Sequence, residues 1–315
     1  MNKEELKIVF FGTPEFAVES LDRLVSKGYN VAGVVTMPDK TAGRGHKLYQ
    51  SDVKRYAVAH GLNVLQPEKL KSDEFLTALK GLDADLFIVI AFRMLPREVW
   101  QMPRLGTFNL HASLLPKYRG AAPINRAVMN GDTETGVTTF FLKHEIDTGD
   151  MIMQRKVEIL PEENVGDVHD KLMHLGAEMV QETVDAIIDG TLTTTPQPEG
   201  EFSPAPKIFK EDCRIDWSKD SATIHNLVRG LSPYPAAWTV ITEESGRTLE
   251  CKIFKTAPTD ETCNGAEPGT MRKTGKRLSV ATADNWLEIS SLMPAGKKRM
   301  DIEAFLLGYH PFKAM

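Results

Sequence analysis

The run DLFIVIAF (residues 85–92) is apolar at every position after its first residue. A strand with one wet face alternates polar and apolar side chains. An unbroken apolar run bounded by turn residues reads instead as a strand covered on both faces, the situation in a parallel sheet with helices on either side. KIVFFG (residues 7–12) and NVAGVVTM (residues 30–37) repeat the pattern. TPEFAVESLDRLV between them has helical spacing, with Thr13 expected to cap it and Pro14 suited to the first turn. SDVKRYAVAHG reads as a helix, NVLQP as a short strand and SDEFLTALKGL as a helix. A short helix precedes TFNLHAS, and GAAPINRAVMNGD forms another. This alternation predicts an α/β fold, a Rossmann-like, mostly parallel sheet with helices on both faces. TGVTTFFLKH and MIMQRKVEIL, joined through EIDTGD, read as an added hairpin-type pair. In the long helix that follows, Val168, Leu172, Leu175 and Met179 share one stripe.

Composition changes at GTLTTTPQPEGEFSPAP, which holds four threonines and four prolines. Proline at this density suits neither helix nor sheet interior, so residues 190–207 read as an extended linker between a domain of residues 1–189 and another of residues 208–315. In the last stretch, after the helix DSATIHNLVRG, short strands (AAWTV, LECKIFK, GTMRK, RLSVAT, WLEISSL) are separated by turns, the pattern of a small OB-like β-barrel.

The chain of 315 residues, 42% apolar and 26% charged, is long enough for two domains. No apolar run approaches the roughly 20 residues that span a bilayer, and the acidic start lacks a signal-peptide layout. Cys213, Cys251 and Cys263 show neither CxxC spacing nor an even count, so no metal site or disulfide framework is expected and a reducing, cytoplasmic compartment is. The formal charge of −5 does not suggest a nucleic-acid binder. Residues 207–315 nevertheless carry 16 basic against 14 acidic side chains, and the remainder 22 against 29, so a polyanion can be met on one side.

The chemistry gathers at FNLHASLLPKYRGAAP, which begins at Phe108. In a strand every second side chain shares a face, so Asn109, His111 and Ser113 are expected together at its carboxyl end, where open parallel sheets bind ligands. Asp147 in HEIDTGD could approach His111 and orient its ring. An amide, an imidazole and a carboxylate around one point fit acyl transfer: donors for a developing oxyanion and a base for the nucleophile's proton. GTPEFA has one glycine where a dinucleotide fingerprint needs three, and AGRGHK lacks a P-loop ending. His169 and His174 lie five apart on a helix and do not make a metal pair.

NLHASLLPKYRGAAPI, followed by DTGDMI, resembles the folate-dependent formyltransferases, whose shared pattern is Asn-x-His-x-Ser-Leu-Leu-Pro and then Asp-x-Gly. FFGTPEFAV, PDKTAGRGHKL, ETGVT, RIDWS and NLVRGLSPYPAAW extend the likeness over nearly the whole chain and toward members that formylate methionyl-tRNA. The resemblance implies that Asn109, His111 and Asp147 are catalytic. It implies that Ser113, Leu114, Leu115 and Pro116, with Phe92 and Leu95, lie against the folate. The formyl donor it implies is 10-formyltetrahydrofolate, with no metal, and the acceptor is the α-amine of methionine on initiator tRNA. Arg44 and Lys47, in a loop loosened by Gly43 and Gly45, would meet the tRNA, as would Lys207 and Lys210; the run Lys297, Lys298, Arg299 is a further candidate. A monomer without membrane attachment is the default. Two stretches depart from the family pattern: AFRMLP puts Phe92 and Arg93 where Tyr-Gly is common, and KHEIDTG lacks a Gly-Leu pair. Rival readings are formyl transfer to a sugar amine or to glycinamide ribonucleotide, and a non-catalytic tRNA- or folate-binding protein.

Overall fold

Five parallel strands follow the apolar runs: β1 (Ile8–Gly12), β2 (Val31–Val35), β3 (Val64–Leu65), β4 (Leu86–Ile90) and β5 (Thr107–His111). β6 (Glu134–Phe141) adds antiparallel to β5, and β7 (Met151–Glu158) completes the order β7-β6-β5-β4-β1-β2-β3. Every residue of β1 and β4 is buried, as the unbroken apolar runs require. Phe10, Phe11, Phe87 and Phe108 are fully enclosed. Burying such a side chain stabilises by about 1.5–3 kcal/mol, so these central strands outweigh any single cap in holding the sheet. This is a computed structural model, and it describes residues 1–42, 47–198, 200 and 202–315.

The helices are α1 (Glu15–Ser26), α2 (Asp52–Ala59), α3 (Asp73–Gly81), α4 (Arg97–Trp100), α5 (Pro123–Met129) and α6 (Val165–Asp189). Gly12 lets α1 leave β1 closely: a Cβ there would lie 2.7 Å from Ala17 Cβ and 3.3 Å from Ile90 O. Thr13 does not cap α1. Pro14 occupies the N-cap position without a side-chain bond, and Thr13 Oγ1 is buried with no hydrogen-bond partner among the described residues. Ser51 and Ser72 do cap, accepting from Lys54 N and Phe75 N. The glycine-bearing stretch expected as plain loop has paired ends: Lys40–Ala42 and Lys47–Tyr49 form an antiparallel ribbon. On α6, Val168, Leu172 and Met179 are fully buried and Leu175 is half-buried, which bears out the stripe.

The chain divides into two compact units: Met1–Gly120, Gly136–Val157 and His169–Pro204 in one, and Ala121–Thr135, Glu158–Val168 and Ala205–Met315 in the other. The second holds α7 (Ser221–Leu231), strands β8 (Ala237–Glu243), β9 (Thr248–Thr262), β10 (Met271–Thr274), β11 (Arg277–Ala281) and β12 (Asn285–Pro294), α8 (Ile302–Gly308) and β13 (Pro311–Ala314). Its sheet runs β10-β11-β12-β9-β8-β13, and a bridge between Thr270 and Lys313 joins the two ends, giving the expected barrel. Ile224, Val228 and Leu231 of α7 share the barrel core with Ile241, Ile253, Leu287 and Phe305. α5 belongs to this unit: Asn125 Nδ2 donates to Gly230 O at 2.8 Å, and a Cβ at Gly230 would meet Met129 N at 2.8 Å. Among the described residues no helix is long and apolar enough to cross a membrane.

Candidate functional site

β5 ends at the carboxyl edge of the parallel strands, and its side chains alternate. Leu110 turns toward α6, where a Cβ on Gly176 would lie 2.7 Å from Leu110 Cδ2. Asn109 and His111 take the opposite face. His111 is 7% exposed, which makes its hydrogen bonds decisive. Nε2 donates to Tyr118 O at 2.8 Å, and Nδ1 lies 3.8 Å from Asp147 Oδ2. That second separation is an ion-pair distance and too long for a hydrogen bond, so Nδ1 is the nitrogen left for a reacting group. Among the described residues the half-buried Asn109 amide makes no hydrogen bond and is equally open to a ligand.

Asp147 is brought to this point from the β6–β7 connection. Gly120 N–H donates to its Oδ2 at 2.9 Å, which aims the carboxylate. Its backbone is left-handed (φ 55°), as are Ala91 (φ 46°), just after β4, and Tyr118 (φ 59°). Non-glycine residues pay about 1–3 kcal/mol in this region and keep it only where their surroundings enforce it. The glycine two residues after Asp147 has a clear cause. A Cβ at Gly149 would lie 1.5 Å from Phe141 O, so any side chain would push the loop off β6.

The Ser-Leu-Leu-Pro turn is held from below. Thr138 Oγ1 donates to Ser113 O (2.7 Å) and accepts from Leu115 N (3.3 Å), while Gln154 Nε2 donates to Leu115 O (3.0 Å) and Thr138 Oγ1 (2.9 Å). The Leu115–Pro116 peptide is cis. Ser113 lies beyond the last residue of β5, and its fully buried hydroxyl donates to Lys117 O at 2.6 Å. The expectation that it would present its hydroxyl beside Asn109 and His111 is therefore corrected: the strand stops at His111, and the turn consumes the group. Leu115 is buried, while Leu114 and Pro116 are half-buried.

Leu95 is buried in the apolar cluster with Phe87 and Val89, and Phe92 packs on that cluster half-exposed, edge-on to Phe11 with ring centroids 5.8 Å apart. Arg93, in the first departure from the family pattern, ties down the neighbouring loop, since its guanidinium donates to Glu68 O (2.9 Å) and to Pro67 O. Burial pushes that guanidinium below its ordinary pKa. Met94 (69% exposed) and Ile146 (56% exposed) are large apolar side chains left open in the two stretches that depart from the pattern.

Arg44 lies outside the described residues, as do Gly43 and Gly45, and of Lys47 only the backbone, in the ribbon, is described. Lys207 and Lys210 are exposed in the second unit. Lys207 lies over the Phe209 ring at 5.4 Å; Lys210 lies over Trp238 at 5.1 Å and pairs with Glu250 at 3.3 Å. Lys297, Lys298 and Arg299 are exposed after β12, with Arg299 Nε bonded to Ser291 Oγ. No cluster of metal-ligating side chains occurs among the described residues. Sequence reading missed Tyr118, Gly120 and Gln197. The first two act through backbone atoms, which carry no side-chain signal. Gln197 was hidden in a stretch read only for its prolines.

A family model described as Formyl transferase matches residues 6–184, and one described as Formyl transferase, C-terminal domain, matches residues 207–310. A methionyl-tRNA formyltransferase of Bacteroides fragilis is 57% identical over 98% of this chain and 97% of its own length. One of Flavobacterium johnsoniae is 49% identical over 97% and 96%. Among solved structures, the sugar 3N-formyl transferase WlaRD superposes with a TM-score of 0.67 at 19% identity, covering 93% of this chain and 99% of that one. HypX from Aquifex aeolicus gives 0.65 at 20% identity, over 96% of this chain and 48% of that one.

Proposed function

This chain belongs to the formyl transferase family, and we propose that it moves the formyl group of 10-formyltetrahydrofolate onto the α-amine of methionine esterified to initiator tRNA. The observation that carries the reading is the convergence of Asn109, His111 Nδ1 and Asp147 Oδ2 at the end of β5. An α-amine with a pKa near 8 is partly unprotonated at neutral pH and attacks without a metal. Asn109 and His111 Nδ1–H donate to the formyl oxygen as it takes up charge. Asp147, its Oδ2 held by Gly120 N–H, receives the amine proton directly or through water. The tetrahedral intermediate then collapses with cleavage of the bond between the formyl carbon and N10 of the folate, the proton passing to N10 as tetrahydrofolate leaves. Phe92, Met94 and Ile146 offer apolar surface to a flat heterocycle, with Leu95 packed in the cluster that supports Phe92, which favours a folate as the donor. The HypX structure with tetrahydrofolic acid shares this fold, which is compatible with that donor. Arg44, Lys47, Lys207 and Lys210 are assigned to the tRNA backbone.

The test offers the protein 10-formyltetrahydrofolate with methionyl initiator tRNA, uncharged tRNA, free methionine, or an amino-sugar nucleotide. Transfer is expected with the charged tRNA alone, and H111A or N109A should reduce it at least a hundredfold. Preferred formylation of the amino sugar, or normal turnover by H111A, would reject the reading.

A further inference from the structure

Gln197 sits in the proline-rich stretch, between Pro196 and Pro198, and its amide is bonded at both ends to the site. Nε2 donates to Asp147 O at 2.7 Å and to Gly149 O at 2.9 Å, so one amide group straddles the Asp-Thr-Gly turn. Oε1 accepts from Arg119 Nε at 3.2 Å and Nη2 at 2.6 Å. The orientation of the amide follows from these partners: a guanidinium only donates and a carbonyl only accepts, so the oxygen must face Arg119 and the nitrogen the turn. Arg119 lies between Tyr118, whose carbonyl takes the His111 ring hydrogen, and Gly120, whose N–H holds the Asp147 carboxylate. The bonds therefore close a ring, from the Asp147 carboxylate through Gly120 and Arg119 to Gln197 and back to the Asp147 carbonyl. The stretch is seated as well: Thr195 and Met151 exchange two backbone hydrogen bonds of 2.8 Å, and Arg119 N donates to Ser203 O at 3.1 Å.

We infer that Gln197 is a positioning residue for Asp147, holding that residue's left-handed backbone so that its carboxylate meets His111. The inference rests on the proposed role of Asp147 and goes beyond it by assigning the clamp to a segment outside the strand-end motifs. Arg119 is the second half of the clamp, since it fixes which way the amide faces. A backbone held only by its own preferences would leave the left-handed region, and the carboxylate would swing with it.

The test replaces Gln197 with methionine, which keeps length and removes donor and acceptor together. Q197M should lower kcat about ten- to a hundredfold while the KM for both substrates stays within about twofold, because the lost quantity is orientation. In a D147N background the same change should alter the residual rate by less than about twofold, since a residue acting through Asp147 has nothing left to act on. Exchange of the Gly120 amide hydrogen, which is bonded to Asp147 Oδ2, should speed up at least about tenfold in Q197M irrespective of any turnover. Wild-type kcat in Q197M, fully additive losses in the double variant, or unaltered Gly120 exchange would each overturn the inference. An inactive wild-type protein would count against the proposed reaction, and the exchange measurement would still decide the clamp.

Discussion

His111 and Asp147 lie 36 positions apart in the chain, yet Nδ1 of one stands 3.8 Å from Oδ2 of the other. The Tyr118 carbonyl takes the hydrogen on the remaining ring nitrogen, Nε2. The two nitrogens thus have different surroundings, and substitutions separate them. Asparagine places its amide near the Nδ1 position; glutamine reaches the Nε2 position and keeps the bond to Tyr118. We expect H111Q to lose about 10²–10³ in kcat/KM, the usual cost of removing an oxyanion donor, and H111N to lose at least about tenfold less. Steady-state formyl transfer by the two variants checks this, and the reverse ranking would show that Nε2 is the working nitrogen.

Gly149 makes a sharper demand on the backbone. Adding one methyl would put Cβ 1.5 Å from Phe141 O, so the turn must move away from β6. A displacement near 1 Å at a reacting group costs roughly a hundredfold in rate. G149A should therefore lose about a hundredfold in kcat while circular dichroism reports an intact fold. Wild-type turnover would mean that the turn can shift without carrying Asp147.

Asp284 supplies a pH-dependent contribution to the barrel. Burial pushes its pKa up, but hydrogen bonds from Ser221 N–H, Thr282 Oγ1–H, Asn285 N–H and Ser221 Oγ–H outweigh that effect and bring it to about 2. The folded carboxyl is thus harder to protonate than the unfolded one. Its stabilisation is fully present above the ordinary carboxylate range and is lost as pH falls from about 4 to about 2. D284N should melt below the wild type at pH 7, with the gap closing toward pH 2. A gap independent of pH in thermal melts would reject this account.

Lys207 and Lys210 differ in what already holds them. Lys210 is paired with Glu250, whereas Lys207 has no carboxylate partner among the described residues. Each phosphate contact contributes about 0.7–0.9 to the slope of log affinity against log salt concentration. K207A and R44A should each lower the tRNA-binding slope by about that amount and leave the folate KM unchanged, with K210A lowering it less. Titrations at several salt concentrations measure the slope, and slopes equal to wild type would remove these residues from the tRNA surface.

Much of this architecture could be read from periodicity. Unbroken apolar runs became β1 and β4 because strands covered on both faces have no polar side to show. The Asn-x-His spacing placed two groups on one face because side chains in a strand alternate. What escaped depended on partners remote in sequence or on main-chain atoms. Nothing local marks Tyr118 O as the acceptor for His111, and nothing in TTTPQPEG shows that its glutamine will meet Asp147. Ser113 misled because alternation holds only while the strand lasts, and β5 stops two residues short of it. The grouping of α5 with the barrel was invisible for the same reason: it follows from a tight crossing at Gly230, far along the chain.

That crossing limits how the protein can be dissected. Cleavage at the proline-rich stretch would release a carboxyl-terminal fragment without the helix that covers Gly230, while the amino-terminal fragment would retain that helix with no mate. The order of residues along the backbone does not coincide with the partition of the folded body.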